Sequence, residues 1–114
     1  MHALAVLYPG CIEFEIALAI ELLGRAMPVR VATADGRAHV SASGVRWEAD
    51  GAYAEARGAA CVLVPGGDPG SVIEDVALRG LLAEADGRGA IIGAICAGPV
   101  LLGRAGVHRR KKRG

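Results

Sequence analysis

The stretch Gly89-Ala90-Ile91-Ile92-Gly93-Ala94-Ile95-Cys96-Ala97-Gly98-Pro99 constrains this chain more than any other. An apolar run that reads as a buried strand stops at a cysteine framed by small residues, and a helical pattern follows. A side chain at such a strand-to-helix turn sits on a tight backbone and is pushed clear of the sheet. A larger Cβ two positions before or after would strike the opposite arm of the turn, which accounts for Ala94 and Gly98. This is the cysteine form of the nucleophile elbow. The N–H groups and positive dipole end of the following helix lower the pKa of a thiol placed there. Cys96 is therefore the candidate nucleophile.

The chain has 114 residues, room for one domain around one core. Its segments bear this out in order. Residues 3–8 are apolar throughout, as a central parallel strand requires, and Pro9-Gly10 breaks the run. Residues 11–25 place Ile12, Glu15, Ile16, Ala19, Ile20 and Leu23 at helical spacing, with Gly24 closing the segment. Residues 29–33 form a second strand, and 38–48 a short hairpin or excursion after Asp35-Gly36. Ala59 to Val64 is another buried strand, ending in Pro65-Gly66-Gly67-Asp68-Pro69-Gly70. Residues 71–85 read as a helix, the strand feeding Cys96 follows, and residues 99–105 start a further helix. This β-α-β-(hairpin)-β-α-β-α order predicts a parallel sheet with helices on both faces. In such sheets, sites form beyond the carboxyl ends of the strands. The Pro9-Gly10, Pro65-Gly66-Gly67 and Cys96 loops fall together at that edge.

Composition excludes several classes. No apolar stretch reaches the ~18 residues needed to span a bilayer, and the N-terminus lacks the basic start of a signal peptide. Three cysteines at unrelated spacings give neither a disulfide framework nor a metal-ligand pair. A reducing cytoplasm is the natural compartment. Cys11 and Cys61, in apolar surroundings, are expected in the core. Five of the thirteen cations lie in Arg109–Arg113, so residues 1–108 hold eight against twelve acids, a net of −4. Residues 108–114 read as a solvated, disordered basic tail. The body lacks the aromatic interleaving of a nucleic-acid binder, and its glycine loops lack a clean phosphate-binding pattern.

Val64-Pro65-Gly66-Gly67, Glu15 after Tyr8-Pro9-Gly10, and Ala94-Ile95-Cys96-Ala97-Gly98-Pro99 together resemble the DJ-1/PfpI family, of the class I glutamine amidotransferase-like superfamily. The similarity runs in order from residue 1 to about Val107, taken as one partial α/β domain, 1–107. The resemblance implies a flavodoxin-like three-layer α/β/α fold with a parallel sheet, here missing its C-terminal portion, since family members are longer. It implies Cys96 as nucleophile and Glu15 as the acid leaning toward the thiol. The amides of Gly66, Gly67 and Ala97 would form an oxyanion hole. Glu13, two residues before Glu15, is expected to point elsewhere and be solvated. In many members a histidine on the next strand assists the cysteine. His108 arrives too early for that role and is not assigned it.

The activity so implied is cofactor-independent cysteine chemistry on small carbonyl compounds, of glyoxalase, deglycase or amidase type, in a homodimer. Two other readings stand beside it: a non-catalytic redox or stress sensor, or an inactive fragment, and the ligand-sensing domain of a transcription regulator. The last would need a helix-turn-helix segment that the sequence does not contain.

Overall fold

Two strands buried along their whole length, Ala3–Val6 (β1) and Cys61–Val64 (β6), form the middle of the molecule. A computed structural model of the chain describes residues 1–67, 70, 72 and 75–94, with Glu15 described through its backbone. Between β1 and β6 come the helix Phe14–Leu23 (α1), the strand Val29–Thr33 (β2), and two-residue strands at His39–Val40 (β3), Arg46–Trp47 (β4) and Gly51–Ala52 (β5). After β6 come the helix Val76–Gly87 (α2) and the strand Ile91–Ala94 (β7). The helix expected at 99–105, the tail 108–114, Cys96, Ala97 and His108 lie outside the described residues.

Five strands make one parallel sheet in the order β5-β2-β1-β6-β7, while β3 and β4 pair antiparallel as a separate hairpin. The chain leaves β1 toward β2 on one side and leaves β6 toward β7 on the other. Crossovers of this kind are right-handed, which puts α1 and α2 on opposite faces and gives the flavodoxin-like three-layer α/β arrangement. Burial on both faces explains the unbroken apolar composition of ALAV and CVLV. Val6, Val62, Val64, Leu78 and Leu82 are fully enclosed. Each contributes about 1.5–3 kcal/mol by removal from water.

α2 presents Leu78, Leu81, Leu82 and Ala85 inward, at i, i+3, i+4 and i+7. It begins later than residue 71 because Asp75 caps it, its carboxylate accepting from the Leu78 N–H at 3.0 Å. α1 buries Ile16 and half-buries Ala19, Ile20 and Leu23, the face read from the sequence. It starts at Phe14 rather than at residue 11 because Cys11 and Ile12 are bound to another part of the chain: the Ile12 N–H donates to the Gly66 carbonyl at 2.9 Å, and Cys11 bridges Gly67. Its outer face carries Phe14, Leu18 and Leu22, exposed to 83%, 70% and 53%. β5 had no sequence signal; it pairs through backbone alone, Ala32 with Gly51 and Thr33 with Ala52. Among the described residues no helix is long and apolar enough to cross a membrane.

Candidate functional site

The strand order reverses direction between β1 and β6, the position at which open α/β sheets form their crevice. The C-terminal ends of β1, β6 and β7, three adjacent parallel strands, lie at one edge. Val64 and Ala94 are register partners, so the Pro65-Gly66-Gly67 loop and the segment leading to Cys96 leave neighbouring strands at the same level. Neighbouring strands lie about 4.8 Å apart. Of the residues expected at the site, Gly66 and Gly67 are described fully, and Glu15 is placed in the first turn of α1. Cys96 and Ala97 follow β7 beyond the described residues.

Gly67 is held in a conformation that only glycine can take here. Its φ is +121°, and an added Cβ would lie 2.7 Å from the Gly10 carbonyl oxygen and 2.8 Å from Cys11 Cα. Both are backbone atoms and cannot swing aside. The Gly67 N–H makes no hydrogen bond to any described residue. Gly66 behaves differently. Its carbonyl accepts from the Ile12 N–H and, at 2.8 Å, from the Tyr8 hydroxyl, which also lies 2.9 Å from the Pro65 carbonyl. Tyr8 is buried. Its hydroxyl ties the glycine loop to the end of β1. A buried tyrosine seeking a partner for its hydroxyl was the signal available.

The hairpin β3–β4 braces the other side of the same segment. The Gly10 N–H donates to the Val40 carbonyl at 3.0 Å, and the Ala42 N–H to the Cys11 carbonyl at 2.8 Å. Glu13, expected in solvent, is buried, 8% exposed. The hydroxyls of Ser41 and Ser43 both donate to its Oε2 at 2.9 Å. The correction has a simple cause: the hairpin folds back over the helix start, which a helical wheel drawn on residues 11–25 alone does not contain. Burial works against the charge, but the two serine hydrogen bonds outweigh it and hold the carboxyl below its usual range.

Cys11 and Cys61 are buried free thiols, and burial pushes both pKa values up. They are protonated at neutral pH, the opposite of what a nucleophile needs. Among the described residues no group of three or more His, Cys, Asp or Glu side chains is placed to hold a metal ion.

A parallel α/β sheet with a glycine loop at its switch point is the class that the fold defines. The sequence matches the DJ-1/PfpI family over residues 1–113, and the chain belongs to that family. Among solved structures, Drosophila melanogaster DJ-1beta is 32% identical with a TM-score of 0.82, over 93% of this chain and 60% of that one. Oxidized DJ-1 from Toxoplasma gondii is 28% identical with a TM-score of 0.81, over 93% and 61%. A DJ-1 superfamily protein from Salmonella typhimurium gives the same figures, 28%, 0.81, 93% and 61%. The chain thus spans about 60% of the length of these relatives. No curated protein matches it.

Gly67→Ala is expected to lower stability by about 2–4 kcal/mol, since it combines a left-handed backbone with overpacking against main chain. Urea denaturation measures it, and a loss below about 0.5 kcal/mol would show that the loop is not pinned as described.

Proposed function

We propose that the chain carries out cysteine-dependent chemistry on small carbonyl compounds, with Cys96 as nucleophile and Glu15 as the acid–base residue. The observation that carries this reading is the pairing of Val64 with Ala94. It sets the glycine loop, whose Gly67 N–H has no partner among the described residues, beside β7, the strand that precedes Cys96 in the sequence. For a 2-oxoaldehyde such as methylglyoxal, the Cys96 thiolate adds to the aldehyde carbon, and the carbonyl oxygen takes the charge. The amides of Gly67 and Ala97 stabilise that oxyanion. Glu15 returns a proton to give the hemithioacetal, then moves the carbon-bound proton to the adjacent carbon. Water hydrolyses the resulting thioester, releasing the 2-hydroxy acid and the thiol. The amide of Gly66, whose carbonyl is anchored by Tyr8 and Ile12, is the further donor proposed for that oxyanion hole.

Alkylation of Cys96 followed against pH, with the site assigned by mass spectrometry, is expected to titrate well below the ~8.5 of a free thiol. Glu15→Gln is expected to shift that midpoint, and Cys96→Ala to abolish methylglyoxal turnover. Full turnover by Cys96→Ala would overturn the reading.

A redox-sensing role is the second reading, favoured by the same observation. An unspent backbone donor can hold a sulfinate oxygen as well as an oxyanion, and the Toxoplasma gondii relative is described as oxidized. Peroxide oxidation confined to Cys96, in protein that turns over no carbonyl substrate, would select it. The two buried free thiols, Cys11 and Cys61, are consistent with a reducing, cytoplasmic setting.

The exposed Phe14, Leu18 and Leu22 recur at i, i+4 and i+8 and are centred on Leu18. Two antiparallel copies of α1 related by a twofold axis would set Phe14 of one copy on Leu22 of the other. This supports a homodimer through α1. Sedimentation velocity is expected to show a dimer that Leu18→Glu converts to monomer, and a dimer unaffected by that change would place the interface elsewhere.

A further inference from the structure

Glu13 is the one buried carboxylate among the described residues, and the proposed chemistry makes no use of it. It stands at the N-cap position of α1, where a short polar side chain ordinarily accepts from the helix's own first N–H groups. Its carboxylate does not do so. Instead it is committed to Ser41 and Ser43, which lie 3.0 Å from each other and donate to the same Oε2. The turn carrying these serines is closed by its own backbone, Ser41 N–H to the Val45 carbonyl and Gly44 N–H to the Ser41 carbonyl.

The consequence is a layered clamp. Residues Gly10–Ile12 are held on one side by the hairpin, through Val40 and Ala42, and on the other by Gly66 and Gly67. Glu13 follows directly in the chain and closes the clamp with two charge-assisted bonds. The turn of helix that it starts contains Glu15.

We infer that Glu13 is a positioning residue: by tying the β3–β4 hairpin to the first turn of α1, it fixes the height of Glu15 and of the Gly67 amide at the crevice. The inference rests on the reading that these two groups serve Cys96. A carboxylate is suited to this because one oxygen can accept from both hydroxyls at once, whereas an amide oxygen does so more weakly. Displacement of a reacting group by a fraction of an ångström to an ångström costs one to two orders of magnitude in rate.

The test compares Glu13→Gln and Ser41→Ala/Ser43→Ala with the wild-type chain, alone and combined with Glu15→Gln. Two quantities are read: the pH dependence of Cys96 alkylation, and amide hydrogen exchange in residues 10–12 and 39–47. Both variants are expected to accelerate exchange in those two segments while leaving β1 and β6 protected. They are also expected to slow alkylation about tenfold and move its midpoint. In the Glu15→Gln background the midpoint should move clearly less, because only the effect carried by the Gly67 amide remains. A midpoint shift of the same size in both backgrounds overturns the inference, as does unchanged exchange in residues 10–12. If Glu15→Gln itself leaves Cys96 untouched, the functional reading has failed, and the exchange data still decide whether Glu13 holds the clamp. Should Glu13→Gln fail to fold, Ser43→Ala, at a half-exposed turn, reads the same exchange and alkylation quantities.

Discussion

The absence of a side chain at Gly67 is the constraint on which the rest of the crevice depends. With no Cβ, its backbone comes within contact of the Gly10 carbonyl and Cys11 Cα, and the loops after β1 and β6 merge into one surface. Every neighbouring interaction presupposes that contact. The Ile12 N–H reaches the Gly66 carbonyl, the Tyr8 hydroxyl reaches the carbonyls before it, and α1 starts three residues later than its apolar pattern suggests. A methyl group at this one position would separate the two loops and with them the helix bearing Glu15 from the glycine amides.

The sheet supplies the rigid base for this contact. β1 and β6 are buried on both faces and locked in register with each other and with β2 and β7, so the strand ends at the crevice have little freedom. Enclosed valines and leucines from the strands and α2 fill the space around them. Interiors packed at that density transmit small displacements rather than absorbing them. Loops on such a base can hold backbone donors in place, and preorganised donors stabilise developing charge most effectively.

Much of this was legible in the sequence, for definite physical reasons. ALAV and CVLV read as doubly buried strands because nothing polar interrupts them. α2 was recognisable because Leu78, Leu81, Leu82 and Ala85 repeat at helical spacing. The pair Gly66-Gly67 marked a turn, but only the fold shows how each is held: Gly66 accepts from Tyr8 at its carbonyl, and Gly67 sits at positive φ against the Gly10–Cys11 backbone. What escaped the sequence reading depends on contacts between distant segments. The burial of Glu13 requires Ser41 and Ser43, some thirty residues away, to fold over it. β5 is made of Gly51-Ala52, whose side chains carry no pattern at all. The start of α1 was misplaced because Cys11 and Ile12 satisfy helical periodicity while their backbone is committed to Gly66 and Gly67.

The central proposal is that the Gly67 amide serves as a donor to the chemistry of Cys96. NMR observation of the Gly67 N–H resonance through a pH titration tests it most directly. The resonance should shift with the midpoint of the Cys96 thiol, below the ~8.5 of free cysteine, and should stay flat in Cys96→Ser. A Gly67 resonance that does not respond to pH, or one that titrates identically in Cys96→Ser, would contradict the claim.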